Sequence, residues 1–350
     1  DGETVEPTEK KPLAFNEPYF EKLSEPLSED LIYSKGVSLK RNAVIQSVDI
    51  AKNGDIYYVQ IAGSSQHQLN VLRGAPNATN PSECMVFEFF GHGTNMAVEE
   101  AADGTYIWLG SHGNKGSDKS YGGSQTICRV KYEPGTSVQL AGGDVFHLKG
   151  TRNIHPAINV EKDLLGVQYS KKVSGVNTRV FVTYRLSEAM KLAPVDVALE
   201  PLKYGGEDEA TSEKTVTLTV KARELSQLQP LYQFAVSDGH GGSVGELAFQ
   251  GYDIDEQFVY YYEGMGYLEV DPSKAYVSVL DKNGLLSARK EVAAVADAEK
   301  LNEFGMTDRG YMEAEGIKVK NGTLYLGFAS RKMEGKDDKR LANILIYRNK

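Results

Sequence analysis

The stretch Gln46-Ser-Val-Asp-Ile-Ala-Lys-Asn-Gly-Asp-Ile-Tyr-Tyr-Val-Gln60 holds an apolar strand, an Asn-Gly turn and a second strand rich in Tyr and Val. Asn-Gly between such runs is a strong short-range hairpin signal, because both residues accept the positive φ of a two-residue turn. The unit returns at residues 94–109, 156–169, 246–262 and 315–328, with turns built on Asp103-Gly104, on acidic residues or on Asn321-Gly322. One small antiparallel sheet cannot bury both of its faces, whereas sheets arranged radially cover each other. The repeat therefore predicts an all-β chain folded as a five-bladed β-propeller, with blade two expected from about Met85 to Tyr132 and blade four from about Leu231 to Leu280.

Composition agrees. Among 350 residues there are 35 Gly and 20 Tyr against 12 Pro and one Trp, which suits many short strands and tight turns. Residues 1–40 are expected as a polar N-terminal arm and 41–350 as the propeller, closed by a strand from one terminus or the other. Residues 288–304, ended by Gly305, predict one short helical insertion. A formal charge of −9 disfavours a general nucleic-acid binder. No run approaches the roughly 18 apolar residues of a membrane span. The chain opens on Asp1 and a Glu-, Lys- and Pro-rich segment, which fits removal of a signal peptide or lipid-anchor signal, or simple trimming. The expected location is secreted, periplasmic or cell-surface, with membrane contact only through such a removed anchor, and the chain is expected to act as a monomer. Cys84 and Cys128 allow one disulfide or two buried thiols.

The residue leading into the first strand of a hairpin and the residue leaving the second lie at one end. By that rule His92, His112, His155 and His240 gather on one rim of the ring, with Tyr169, Glu263, Glu313 and Arg331. Glycines beside His92, His112 and His240 would let a ligand approach the backbone. A single histidine at a strand end more often makes a structural hydrogen bond, but four at matching ends point to a shared pocket. Trp108, at a strand centre, is expected in the core. No cofactor motif, nucleophile elbow or close metal-ligand pair is present, so neither cofactor nor metal is expected.

The run Gly91-His-Gly-Thr-Asn-Met and its continuation through Trp108-Leu-Gly-Ser-His-Gly-Asn114 and Gln125-Thr-Ile-Cys-Arg-Val-Lys-Tyr132 resembles the propeller of teichoic-acid biosynthesis protein C and phage receptor-binding proteins. It is also similar to helveticin-type bacteriocins. That resemblance, over about residues 43–347, implies a five-bladed platform in the bacterial envelope that contacts cell-surface glycopolymers such as teichoic acid. A second similarity is to propeller ulvan lyases, which use two histidines about one hairpin apart, then a tyrosine and an arginine. Here these are His92, His112, Tyr169 and Arg185. In a polysaccharide lyase, Arg185 would neutralise a uronate carboxylate while His92 or Tyr169 moved protons.

The leading expectation is recognition of an anionic glycan. His92, His112, His155, His240, Arg179, Tyr121 and Tyr169 are its candidate ligand-binding residues, with Tyr262 as a further stacking aromatic. The alternatives are the lyase and a protein-interaction platform.

Overall fold

The computed structural model describes residues 10–62, 67–117, 120–207, 212–237, 244–266 and 272–350. Five mainly antiparallel sheets stand around one axis, and their inner strands are Ile45–Ile50, Ala97–Ala101, His155–Asn159, Phe249–Ile254 and Met312–Lys320. The chain is a five-bladed propeller. Each second strand is buried on both faces by neighbouring blades, which is why Ile56–Ala62 is buried throughout and shows no polar alternation.

Five hydrophobic cores fill the five gaps between blades. Val59, Phe87, Met96 and Leu109 pack between blades one and two, and Trp108, Phe146, Val167 and Val182 between two and three. Phe181, Phe234, Tyr252 and Tyr261 fill the next gap, Tyr262, Ile317 and Phe328 the fourth, and Ile45, Tyr58 and Ile344 the last. Trp108 is fully buried, its indole N–H donating to Glu99 Oε1 at 2.9 Å. The two cysteines are buried and unbridged, in the fourth strand of blade one and the third strand of blade two.

The N-terminal side supplies the closing strand. Ile32–Val37 runs antiparallel to Asp337–Arg348 as the fourth strand of blade five, so part of the segment expected as a polar arm lies inside the ring. Ahead of it, Phe15, Tyr19, Phe20, Leu23 and Leu27 join the core between blades four and five.

The blade frame differs from the expected one by single strands. Glu83–Glu88, placed by sequence at the start of blade two, is the fourth strand of blade one, with Ser137–Gln139 parallel outside it. Tyr232–Ser237 closes blade three rather than opening blade four. Between the third and fourth strands of blade three the chain crosses to blade two, where Thr219–Glu224 and Val195–Ala198 widen that sheet to six strands. Within residues 288–304, Leu286–Glu291 is the fourth strand of blade four and only Ala298–Glu303 is α-helical, capped by Asp297 and followed by Gly305 at φ 74°.

Side chains stitch the inner strands together. Asp49 Oδ2 of blade one accepts the N–H of Val98 of blade two at 2.7 Å, and Asp253 Oδ2 of blade four accepts that of Val319 of blade five at 2.8 Å. Asn95, at φ 59°, donates to the Pro156 carbonyl at 2.7 Å and accepts the Tyr252 N–H at 2.9 Å, joining blades two, three and four. Lys320 of blade five reaches Asp49 Oδ1 of blade one at 2.6 Å.

Asn95→Ala removes two of these bonds and strands a buried carbonyl and a buried N–H. Urea denaturation should report a loss of about 2–4 kcal/mol, with the native fold retained at zero denaturant.

Candidate functional site

All inner strands start at the same end of the ring, and the first hairpin turns lie at the other. At the starting end of blade three, His155 pairs across the sheet with Gln168, Gln168 with Phe181, and Ser170 with Arg179. Alternation puts these side chains on the face turned to blade four. Phe181 meets the rings of Tyr252 and Tyr261 there, and the Arg179 guanidinium lies 4.4 Å over the ring of Phe249, with Nη1 donating to Ser170 Oγ at 3.3 Å.

This row is polar and largely dry. His155 is 9% exposed; burial first, then the charges of Arg179 and His92, pushes its pKa down to about 3. The ring is therefore neutral at physiological pH. Its backbone carbonyl is fixed by the Tyr252 hydroxyl at 2.7 Å. Gln168 is 1% exposed, and among the described residues neither its amide oxygen nor its amide nitrogen has a hydrogen-bond partner. His92 is exposed, and its electrostatic influence on His155 ties it to the same region.

Other expected residues are placed differently. Tyr169 follows Gln168, so its side chain points the opposite way and is half-buried against the core between blades two and three. Arg185 pairs with Leu164, four residues along the strand from Gln168 and thus roughly 13 Å from the His155 row. It donates to the Lys162 carbonyl in the turn at the far end of the blade, so it does not join the histidines as a carboxylate neutraliser. Tyr262 is a core residue with its hydroxyl on the Gly327 carbonyl at 3.1 Å. Glu263 is buried against Arg289, at 2.7 Å. His240 lies outside the described residues.

His112 is 4% exposed and ends a chain of hydroxyls. The Cys128 thiol donates to Ser111 Oγ at 2.9 Å, Ser111 meets Thr126 Oγ1 at 2.6 Å, and Thr126 meets His112 Nδ1 at 2.7 Å. One direction of donation satisfies every proton in the chain. In it Nδ1 accepts, and Nε2 carries the ring proton. Burial lowers the His112 pKa to about 4.

Tyr121 is equally internal, its hydroxyl bonded to Glu207 and accepting the Gly205 N–H at 3.1 Å. It fastens the inserted hairpin of Leu202–Tyr204 and Lys214–Val216 over blade two, helped by Lys115 Nζ on the Gly205 carbonyl at 2.6 Å. The glycines beside two of the histidines also serve the protein's own packing. A Cβ on Gly93 would come within 2.7 Å of Val59 Cγ1, and one on Gly113 would collide with the Phe90 carbonyl.

No family model matches the chain, and no curated protein matches it. Among solved structures, a protein of unknown function from Dyadobacter fermentans DSM 18053 aligns with a TM-score of 0.41 at 11% identity, over 92% of this chain and 100% of that one. Drosophila Semaphorin 2a aligns at 0.27 and 11%, over 85% of this chain and 51% of its own. Penicillium chrysogenum alpha-L-arabinanase complexed with arabinobiose aligns at 0.28 and 9%, over 93% and 99%. Similarity this distant carries nothing about the site.

The buried histidines give a titration to measure. Nitrogen-15 NMR should show the His112 ring neutral down to about pH 4 and predominantly in the Nε2–H form, and Thr126→Val should mix the tautomers. The unfolded chain protonates these rings near the ordinary value of about 6.5. Their contribution to stability is therefore lost as pH falls from there toward about 4 for His112 and about 3 for His155.

Proposed function

We propose that this propeller binds a glycan carrying anionic groups, as a secreted, periplasmic or surface-attached protein of the bacterial envelope, through the blade-three row and His92. The observation that carries the reading is Gln168, a buried amide with both atoms unpartnered among the described residues, beside His155 and the row of Arg179. Burying an unpaired polar group costs about 1–3 kcal/mol, a cost that a hydroxyl or bridging water reaching the row would offset.

The chemistry fits sugars. A carboxamide both donates and accepts, as does a neutral imidazole, and each sugar hydroxyl does the same. A guanidinium fits a carboxylate, sulfate or phosphate in a planar, two-pronged contact. Arg179 is held for that role from below by the Phe249 ring. The lyase alternative is less well supported, because Tyr169 and Arg185 lie on opposite faces and at opposite ends of blade three.

The deciding experiment is retention on acidic polysaccharides, with absorbance followed in parallel for an unsaturated uronate product. Retention without product is expected. His92→Ala should weaken binding by about 1–3 kcal/mol, and Arg179→Gln should remove preference for acidic over neutral glycans. Product release that disappears in both His92→Ala and Tyr169→Phe would replace the binder with a lyase. Failure of every acidic glycan to be retained would reject the proposal.

A further inference from the structure

Blade three carries a hairpin that outgrows its sheet. Leu164–Val173 and Val176–Arg185 stay paired up to Val173 and Val176, whereas the inner strand begins opposite Gln168 and the described part of the outer strand reaches Thr178. The tip turn, Ser174 at φ 50° and Gly175 at φ 80°, has the two positive values of a tight two-residue turn that matches strand twist. The arm stands roughly 16 Å beyond the His155 row, at 3.3 Å per residue.

Its charge is one-sided. Residues 164–187 contain no Asp or Glu and four cations, Lys171, Lys172, Arg179 and Arg185, in a chain of net charge −9. Three of the four lie on the arm above the Gln168 row, Arg179 and Lys172 on its face and Lys171 on the other, and among the described residues neither lysine has an ion pair. A second long hairpin at the same end, in blade five, shows the contrast. There Lys339 is paired with Glu334 at 2.9 Å and Arg331 with Asp338 at 3.3 Å. Alternation on the blade-three arm stacks Gln168, Ser170 with Arg179, and Lys172 with Asn177 on one face, a ladder climbing from the buried row to solvent.

We infer that this arm is the extended subsite of the glycan site, and that it takes a polymer with anionic groups repeated along its length rather than a single acidic sugar. The inference rests on the proposed function and adds the class of ligand. Repeated charge is what a cationic ladder of this length can follow, whereas a monosaccharide would span only the His155 and Arg179 rows. Carboxylate polymers and phosphate polymers share the required chemistry.

The test is a charge-removing variant, Lys171→Gln with Lys172→Gln, beside wild type and Arg179→Gln. Affinities are measured for polygalacturonate, polyglycerol phosphate, monomeric galacturonate and neutral dextran over a range of NaCl. Both lysines are exposed, and a thermal melt checks that the fold is intact. The double variant should bind the favoured polyanion about three- to tenfold more weakly at low salt. Its dependence on salt should be shallower, and its affinity for monomeric galacturonate unchanged. Whichever polymer is favoured names the anionic group. Wild-type affinity of the double variant for every retained polyanion, with loss only in Arg179→Gln, overturns the subsite and leaves the binding function standing. No retention of wild type by either polyanion overturns both.

Discussion

The fold depends on how five inner strands that converge on one axis satisfy their edges. Radiating sheets cannot all pair there as a continuous ladder, yet buried backbone N–H groups must find acceptors. Short polar side chains do this: Asp49 takes Val98 N–H, Asp253 takes Val319 N–H, and Asn95 reaches two blades at once. The glycines are part of the same constraint. A Cβ on Gly251 would come within 2.9 Å of Asn95 Oδ1, and one on Gly316 within 3.0 Å of the Val48 nitrogen. Burial pushes the Asp253 pKa up to about 6, opposed by Lys318 and by the Val319 N–H. The clasp therefore trades desolvation against backbone pairing, and breaking it costs more than its net contribution.

With these side chains close to the axis, polar chemistry is displaced to the gaps between blades. The gap between blades three and four holds a buried neutral imidazole, an amide unpartnered among the described residues, and a guanidinium on an aromatic ring. The neighbouring gap between two and three is spent differently. There Glu99 holds the Trp108 indole N–H and pairs with Arg129 at 2.6 Å, and the inserted hairpin covers the Asn114–Lys115 and Tyr121–Gly122 strands. Blade two is thereby the most heavily built sheet of the ring.

Much of the fold was legible because turn chemistry is local. Asn53-Gly54, Asp103-Gly104 and Asn321-Gly322 mark hairpins without reference to anything distant. Fourth strands carry no such mark, and Tyr232–Ser237 comes after a long excursion to another blade, so the frame slipped there. At the site, strand ends located His155, and the paired strand located Arg179. Gln168 was invisible, since a glutamine in a strand reads as solvent-facing until its cross-strand partner and its covering blade are known. Tyr262 and Tyr121 erred in the other direction. Which face a strand residue presents, and whether an insertion closes over it, are settled by tertiary pairing rather than by neighbours in sequence.

Gln168 also differs in kind from most other buried groups without partners. Tyr58, Tyr347, Ser34 and Ser278 leave single hydroxyls unbonded, and a hydroxyl can turn its proton toward whatever acceptor is nearest. An amide cannot. Its donor and acceptor ends are fixed by one torsion, so leaving both unmet inside a well-packed blade is a local conflict that folding alone gives no reason to keep. A hydrophobic residue would fill the same space beside Phe181 at less cost. The conflict stands next to a histidine held neutral by burial and one row below an arginine. A sequence consistent with its fold at the clasps is at odds with it at this row, and that conflict is what the proposed glycan site rests on.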